Sequence, residues 1–191
     1  MNDTNILNHL FDKQIICPVC DAHFKVKTVK SKSPRILSKD SDFFIRYSVV
    51  NPYFYDVIIC NSCGYAALRS DFDNIKSYKK ELVFSNVTPK WKPRYYPDIL
   101  DEKLAIERYK LALLNAVLLD LSDSTKAMIS LKIAWMYRLL ENSTQEKTFL
   151  SQALEGFKDA YIKEIFPIYG MQRDSFTYML GELNRMLGNY Q

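Results

Sequence analysis

Four cysteines are the residues of this chain whose type and spacing could do chemistry. They occur in two units of one pattern, "IICPVC" at 15–20 and "IICNSCG" at 58–64, with 39 residues between the units' cysteine pairs. A Cys-x-x-Cys turn points two sulfurs the same way, and two such turns can enclose one Zn²⁺ in a closed tetrahedral site. The double spacing therefore predicts one structural zinc ion per chain. Its predicted ligands are Cys17, Cys20, Cys60 and Cys63.

The residues around the two cysteine pairs suit turns at the ends of β-hairpins. Pro18 stiffens the first turn, and Gly64 follows the second pair, where the backbone must adopt a positive φ that glycine tolerates without strain. In both units an Ile-Ile pair leads into the turn, as the end of a strand would. We therefore expect a zinc-ribbon or rubredoxin-like module, whose other strands lie in the 39-residue gap.

Other interpretations of the cysteines are less well supported. A redox dithiol would need a thioredoxin-like βαβ context, which the sequence lacks. Iron could replace zinc on four thiolates and would make a redox centre. His23 could replace one cysteine, but we interpret it as a strand residue because four cysteines already complete the coordination shell. Four thiolates leave no position for a water molecule, so we expect the site to be structural and not catalytic.

The remaining composition gives little support for catalysis. The five glycines do not cluster into a phosphate-binding loop, and the chain has only two histidines. The net charge is a modest +4, with the excess of lysine and arginine in the first hundred residues. The N-terminus does not resemble a signal peptide, and no apolar stretch reaches the roughly 18 residues of a membrane span. We expect a cytoplasmic protein with reduced thiols and no membrane partner.

The pattern of the chain changes near residue 85. Before that point, runs such as "HFKVKTV", "FFIRYSVV" and "YFYDVIIC" are typical of strands. From Asp101 onward the apolar residues recur at helical spacing, and Pro89, Pro93 and Pro97 interrupt the chain between these parts. This predicts an α+β fold in three parts. They are a zinc-ribbon-like β module with a short helix over 1–84, an ordered proline-rich linker over 85–100 that separates two cores, and a TPR-like antiparallel helical array over 101–191.

The segment "SKSPRILSKDSD" at 31–42 is predicted to be a polar loop. Asp40 and Asp42, near its end, could suggest a second metal site or an acid–base pair. No histidine or glycine-rich turn accompanies them. We therefore interpret both aspartates as solvated loop residues.

The C-terminal part is predicted to contain four helices. They begin near Asp101, at a Ser124 cap, at a Ser143-x-x-Glu146 capping box and near Asp174, and the last one ends before Gly188.

Parts of this helical segment match the tetratricopeptide (TPR) repeat. "LGELNRMLGNY" at 180–190 fits a first helix and its turn, where we expect Gly181 to allow close approach of a neighbouring helix. Upstream, Ala153, Phe157 and Ala160 reproduce the second-helix spacing of a repeat whose first helix contains Ile133-Ala134 and Tyr137. The connection between these two helices is longer than a standard repeat has. A generic helical bundle is the alternative.

Together the two halves resemble a bacterial family of cytosolic proteins of unknown function, with a zinc-ribbon-like head and a TPR-like tail. The matching stretches are "CPVC", "DSDFF", "NPYFYDVIICNSCGYAA" and "LGELNRMLGNY", and the resemblance covers most of the chain. It implies that the four cysteines are metal ligands, and it implies no activity.

Two functions from different classes follow from these patterns. The favoured one is a non-enzymatic, zinc-stabilised interaction scaffold whose helical tail binds a partner protein or peptide, because TPR-like arrays form concave binding surfaces. We find no nucleophile–base pair that would favour an enzyme. The alternative is nucleic-acid binding by basic residues mixed with the stacking rings of Trp91 and Tyr95, although the modest net charge favours solvated lysines. The candidate contacts are Lys25, Lys27, Lys30, Lys32, Arg35, Lys90, Trp91, Lys92 and Arg94.

The last predicted helix has more apolar surface than one neighbouring helix can cover. Its large apolar residues are Met179, Leu180, Leu183, Met186 and Leu187. We therefore expect either that the native chain continues past residue 191 or that this face forms a two-fold homodimer through the C-terminal helix.

Overall fold

The computed structural model describes residues 3–189, and the first part of the chain consists of three β-hairpins. Each strand pairs only with its neighbour in the chain, so the three sheets are two-stranded and antiparallel. The bounds are α1 Asp3–Leu7, β1 Leu10–Ile16, β2 His23–Val29, β3 Ile36–Lys39, β4 Ile45–Tyr47, β5 Val57–Ile59 and β6 Ala66–Leu68. The Ile-Ile pairs before the cysteines lie at the ends of β1 and β5, as predicted.

The second part is helical, which confirms the α+β class. Helix α2 continues into a π-helical turn over Val83–Val87, and the four longer helices each pack against the next one along the chain. The bounds are α2 Ser77–Leu82, α3 Glu102–Leu118, α4 Asp123–Leu139, α5 Ser143–Lys163 and α6 Arg173–Leu187. Within residues 3–189, no helix is both long enough and apolar enough to cross a membrane.

The helix starts lie within a few residues of the predicted positions, but two of the capping residues differ. Helix α4 is capped by Ser122 and α5 by Asn142, whose side chains each accept a hydrogen bond from a backbone N–H of the first turn. Ser124, the predicted cap, is instead buried, and its Oγ donates to Glu164 Oε2 at 2.6 Å. Neighbouring serine and asparagine residues are nearly equivalent as caps, so the sequence alone does not choose between them.

One hydrophobic core contains residues of both parts of the chain. Phe44, Val57 and Leu68 belong to the same cluster of buried side chains as Tyr109 of α3 and Trp135 of α4. The rings of Phe44 and Trp135 stack with their centroids 5.3 Å apart. The separation into two cores that the prolines suggested is therefore not seen in the packing. The boundaries at residues 84 and 100 stay a prediction.

The polar loop predicted over 31–42 is wrong in two respects. It contains strand β3, and Asp42 is fully buried instead of solvated. The Asp42 carboxylate accepts hydrogen bonds from Arg138 Nη1 at 3.0 Å and Nη2 at 2.7 Å, and from Trp135 Nε1 at 2.9 Å. The reason for the error is that both partners lie on α4, far along the chain, so nothing near Asp42 in the sequence indicates them.

Arg138 connects three acidic residues in addition to packing against the core. Its Nη1 donates to Asp40 at 3.0 Å and its Nε to Glu146 at 2.6 Å. Burial disfavours the charged guanidinium, but the hydrogen bonds to Asp42 and Glu146 raise the pKa of Arg138 above its ordinary value. Asp40 also pairs with Arg46, so it too is not a free loop residue. The network joins the 40–44 loop to α4 and α5.

The apolar face of α6 is largely covered by the chain itself. Met179 and Leu183 are buried, and Ser41 Oγ donates a hydrogen bond to Glu182 on the same helix. The ring of Phe43 packs on Tyr178 with a centroid distance of 5.4 Å. The expectation that this face needs cover from outside is therefore wrong, because the 40–44 loop lies on it. The homodimer through α6 stays a prediction, but an uncovered apolar face no longer supports it. Tyr190, at the end of the TPR-like match, lies outside the described residues.

The close helix contact lies at a different glycine from the one predicted. A Cβ added at Gly181 would meet no atom of the described residues within 4 Å, so Gly181 does not serve close approach. At Gly156 an added Cβ would lie 3.0 Å from Ala127 Cβ, where α5 crosses α4. The TPR-like positions themselves pack as expected between these two helices. Ile133, Ala134, Ala153, Phe157 and Ala160 are fully buried.

We predict that Arg138→Met lowers the free energy of unfolding by about 3–5 kcal/mol, because it leaves the buried Asp42 carboxylate without its counterion. Urea denaturation of the purified chain measures this loss. Arg46→Met is the matched control, since the Arg46 side chain is 40% exposed and its pair with Asp40 is worth about 0–1 kcal/mol. Equal effects of the two substitutions would show that the buried pair does not hold the halves together.

Candidate metal centre

The structure brings the four predicted ligands together. Their sulfur atoms all lie within 4.8 Å of one another, with Cys17 Sγ 3.7 Å from Cys63 Sγ and Cys20 Sγ 3.6 Å from Cys60 Sγ. A tetrahedron of sulfurs about 2.3 Å from a zinc ion has edges of about 3.8 Å, so the donor set and its spacing fit the predicted metal. His23 is exposed at the start of β2 and does not belong to the group.

The two cysteine turns have the same backbone conformation. In each turn the N–H of the first cysteine donates to the carbonyl five residues later, and the N–H four residues later donates back to the first cysteine's carbonyl. The residues at that fourth position are Asp21, with φ +57°, and Gly64, with φ +81°. The positive φ predicted for Gly64 is confirmed. The first turn reaches the same conformation with an aspartate, one of the residues that tolerate it best after glycine.

Backbone donors favour anionic sulfurs at this site, whereas burial opposes them and the neighbouring thiols raise the pKa of Cys63, and also that of Cys17. The N–H groups two and three residues after Cys17 donate to its sulfur, and those after Cys60 do the same. Hydrogen bonds from Cys17 and Cys63 lower the pKa of the Cys60 thiol. Cys17, Cys60 and Cys63 are buried, while Cys20 is half-buried. Four sulfurs so close together need a cation before all of them can ionise.

The second cysteine turn also holds the linker in place. Trp91 Nε1 donates to the carbonyl of Asn61 at 2.9 Å, and Thr88 Oγ1 donates to the carbonyl of Cys63 at 2.8 Å. The side-chain amide of Asn61 donates to the Arg94 carbonyl at 2.8 Å and accepts from the Arg94 N–H at 3.2 Å. The linker is therefore ordered, and its order depends on the turn that contains Cys60 and Cys63.

The predicted nucleic-acid contacts fall into separate groups. Lys25, Lys27 and Arg94 line one cleft between β2, the linker and α3. Trp91 packs its ring over Gly64, so one face of the ring is occupied. The remaining candidates are all exposed. They are Lys30, Lys32, Arg35, Lys90 and Lys92. The first three follow the end of β2 that lies away from the cysteines. Their binding of nucleic acid stays a prediction.

Arg108 also lines this cleft, and it is not among the residues predicted from the sequence. Arg108 lies three residues after Ala105 and four residues before Ala112, and both alanines are buried. This spacing puts all three on neighbouring positions of one helix face, so it could have indicated that Arg108 is on the inner side of α3.

We predict that Gly64→Ala lowers the free energy of unfolding by roughly 2 kcal/mol or more, even with metal bound. The reason is that the alanine must hold a left-handed φ and its Cβ would lie 2.7 Å from the Trp91 ring. Denaturation followed by tryptophan fluorescence measures the change. Asp21→Gly, at the equivalent position of the first turn, is the control and should not destabilise the chain. An alanine variant as stable as the natural chain would contradict the packing of Trp91 on this turn.

Comparisons with known proteins identify the family. Residues 10–191 match the family described as "Uncharacterized protein conserved in bacteria (DUF2225)". A relative from Borreliella burgdorferi, itself described as "Uncharacterized protein", is 22% identical over 181 residues. That alignment covers 83% of this chain and 64% of the relative, so the chain spans less than two thirds of the relative's length. No solved structure matches the chain. Because the family match includes both cysteine turns and all four long helices, the chain belongs to this bacterial family.

Proposed function

We propose that this protein is a zinc-stabilised interaction scaffold that binds a partner protein or peptide through its helices and catalyses no reaction. Cys17, Cys20, Cys60 and Cys63 would hold the zinc ion, which would cross-link the β1–β2 and β5–β6 hairpins. The four-sulfur donor set supports a structural role, because four thiolates fill the tetrahedral shell of zinc and leave no position for water or substrate.

An apolar stripe on α3 is the observation that carries the interaction role. Leu114, Val117 and Leu118, which we call the α3 stripe, are 52%, 58% and 36% exposed. They share one face of the helix, and the opposite face, with Tyr109 and Ala116, is buried. Contiguous exposed aliphatic side chains are typical of protein-interaction sites. Their i, i+3, i+4 spacing is the one with which helical surfaces bind an amphipathic partner helix.

Nucleic-acid binding is the alternative, favoured by the arrangement of three cations around one cleft. Lys25, Lys27 and Arg94 converge there, and Lys90 and Lys92 are exposed on the adjoining linker. Binding of this kind would release counterions, so its affinity would fall steeply as salt rises. A gel shift with single-stranded RNA and DNA at two salt concentrations distinguishes it from protein binding.

We predict one equivalent of zinc per chain in protein purified without added metal, as measured by elemental analysis. Zinc binding contributes about 10–16 kcal/mol in small zinc-dependent domains, so the ion should survive purification. Cys60→Ser should lose most of the zinc because it removes a ligand. Ser62→Ala, in the same turn but not a ligand, should keep all of it. Less than about half an equivalent of zinc, or a red iron chromophore, would contradict the assignment.

We predict that a Leu114→Glu, Val117→Glu double variant loses the protein partner while its melting temperature stays unchanged. Both side chains are exposed, so the charges disturb the surface and not the core. Photo-cross-linking from residue 118 in native extract, with identification of the cross-linked protein, measures the loss.

Ile162→Glu is the matched control for the α3 stripe. Ile162 is 80% exposed on α5, and its substitution should leave the cross-link intact. A partner that cross-links equally well to the double variant does not use the α3 stripe. A cross-link to a second copy of this chain would instead make the stripe a dimer interface.

A further inference from the structure

A cleft of about 260 Å³ lies between strand β2, the linker and helix α3. Lys25 and Lys27 line it from β2, Arg94 from the linker and Arg108 from α3. Sequence reasoning grouped the first three with other basic residues of the chain, but only the structure puts them around one space together with Arg108. Four cations converge on this cleft.

Part of this positive charge is already neutralised. Asp12 and Asp98 also line the cleft, and both accept a salt bridge from Lys27 Nζ at 3.0 Å. Arg94 is paired with Glu107. Among the described residues, Lys25 and Arg108 have no carboxylate partner. The cleft therefore has uncompensated positive charge.

Arg108 has unused hydrogen-bonding capacity. Its Nη2 donates to the carbonyl of Val57, whereas its Nε is buried with no hydrogen-bond partner in the described part of the chain. Burial lowers the pKa of Arg108, and the nearby Arg69 lowers it further. Arg69 is half-buried, and its Nη1 also lacks a partner in the described part of the chain. A buried cation without a counterion is unfavourable, so an anion in the cleft would offset this cost.

The rim of the cleft adds an aromatic surface. Tyr95 lines the cleft, is 90% exposed and makes no ring contact with the described residues. An exposed tyrosine ring of this kind can stack on a flat heterocyclic ring. The cleft has room for roughly nine water molecules at liquid density, which is more than a phosphate ion fills. Its size and rim therefore suit an anion attached to a planar ring.

We propose that this cleft binds a nucleoside monophosphate. Arg108 and Lys25 hold the phosphate, because guanidinium and ammonium groups form strong charge-assisted hydrogen bonds with phosphate oxygens. Tyr95 stacks on the base. The α3 stripe does not line the cleft, so this site is separate from the partner surface proposed above.

Calorimetric titration of the zinc-loaded full chain tests the proposal. The probes are the four common ribonucleoside monophosphates, the matching nucleosides and inorganic phosphate. At least one monophosphate should bind with a stoichiometry of one. It should bind roughly tenfold or more tighter than both inorganic phosphate and its own nucleoside, since neither of them makes both sets of contacts.

Variants at exposed positions separate binding from folding. Lys25→Met and Tyr95→Ala should each weaken monophosphate binding by roughly tenfold without changing the urea midpoint. Arg108→Met should abolish binding, and its urea midpoint is measured without ligand because the substitution also removes the hydrogen bond to the Val57 carbonyl. Lys92→Met, on the same linker but outside the cleft, should bind as the natural chain does.

Several results would overturn the proposal. One is that no monophosphate binds, and another is that inorganic phosphate binds as tightly as the monophosphates. Unchanged binding by both Lys25→Met and Tyr95→Ala would place the ligand elsewhere. A single-stranded oligonucleotide with hydroxyl ends that binds tighter than every monophosphate, and that Lys25→Met and Tyr95→Ala both weaken, would assign the cleft to nucleic acid instead.

Discussion

The N-terminal half of this protein depends on four sulfur atoms held within 4.8 Å of one another. Its three sheets have only two strands each, and an isolated two-stranded hairpin is marginally stable in water. The two cysteine turns lie at the ends of different hairpins, and a metal ion bound by all four sulfurs would close the long loop between them. Such a cross-link would fix the relative position of β1–β2 and β5–β6. The linker attached to the second turn is positioned with them.

The helical half is joined to this module by a buried ion pair and by a shared core. Asp42 and Arg138 lock the 40–44 loop between α4 and α6, which allows Phe44 to stack on Trp135. Replacing such a pair by apolar residues is often neutral in stability, whereas losing one member is costly. An arrangement of the halves without this pair would leave a buried charge unpaired, which would disfavour it.

Features that depend on local sequence could be predicted, and features that depend on distant partners could not. The cysteine spacing, the strands before each cysteine pair and the four long helices follow from short-range patterns. Asp42 looked solvated because its counterion, Arg138, lies 96 residues away. Arg108 was not predicted, since its isolation from any carboxylate is visible only when the neighbouring elements are in place. The shared core was hidden for the same reason, because three prolines indicate an interruption of helix but not what the flanking segments contact.

The attachment of the linker to the second cysteine turn has a consequence for digestion by trypsin. Lys90 and Arg94 are exposed, but the backbone between them is held by Trp91 and Asn61. A protease needs an extended, freely moving segment of several residues, which this anchored backbone does not offer while the turn keeps its shape. If the four cysteines hold a metal ion, its loss would release the turn and with it both anchors. The peptide bonds after Lys90 and Arg94 would then become cleavable, so nicking at these two positions would report whether the cysteines are loaded.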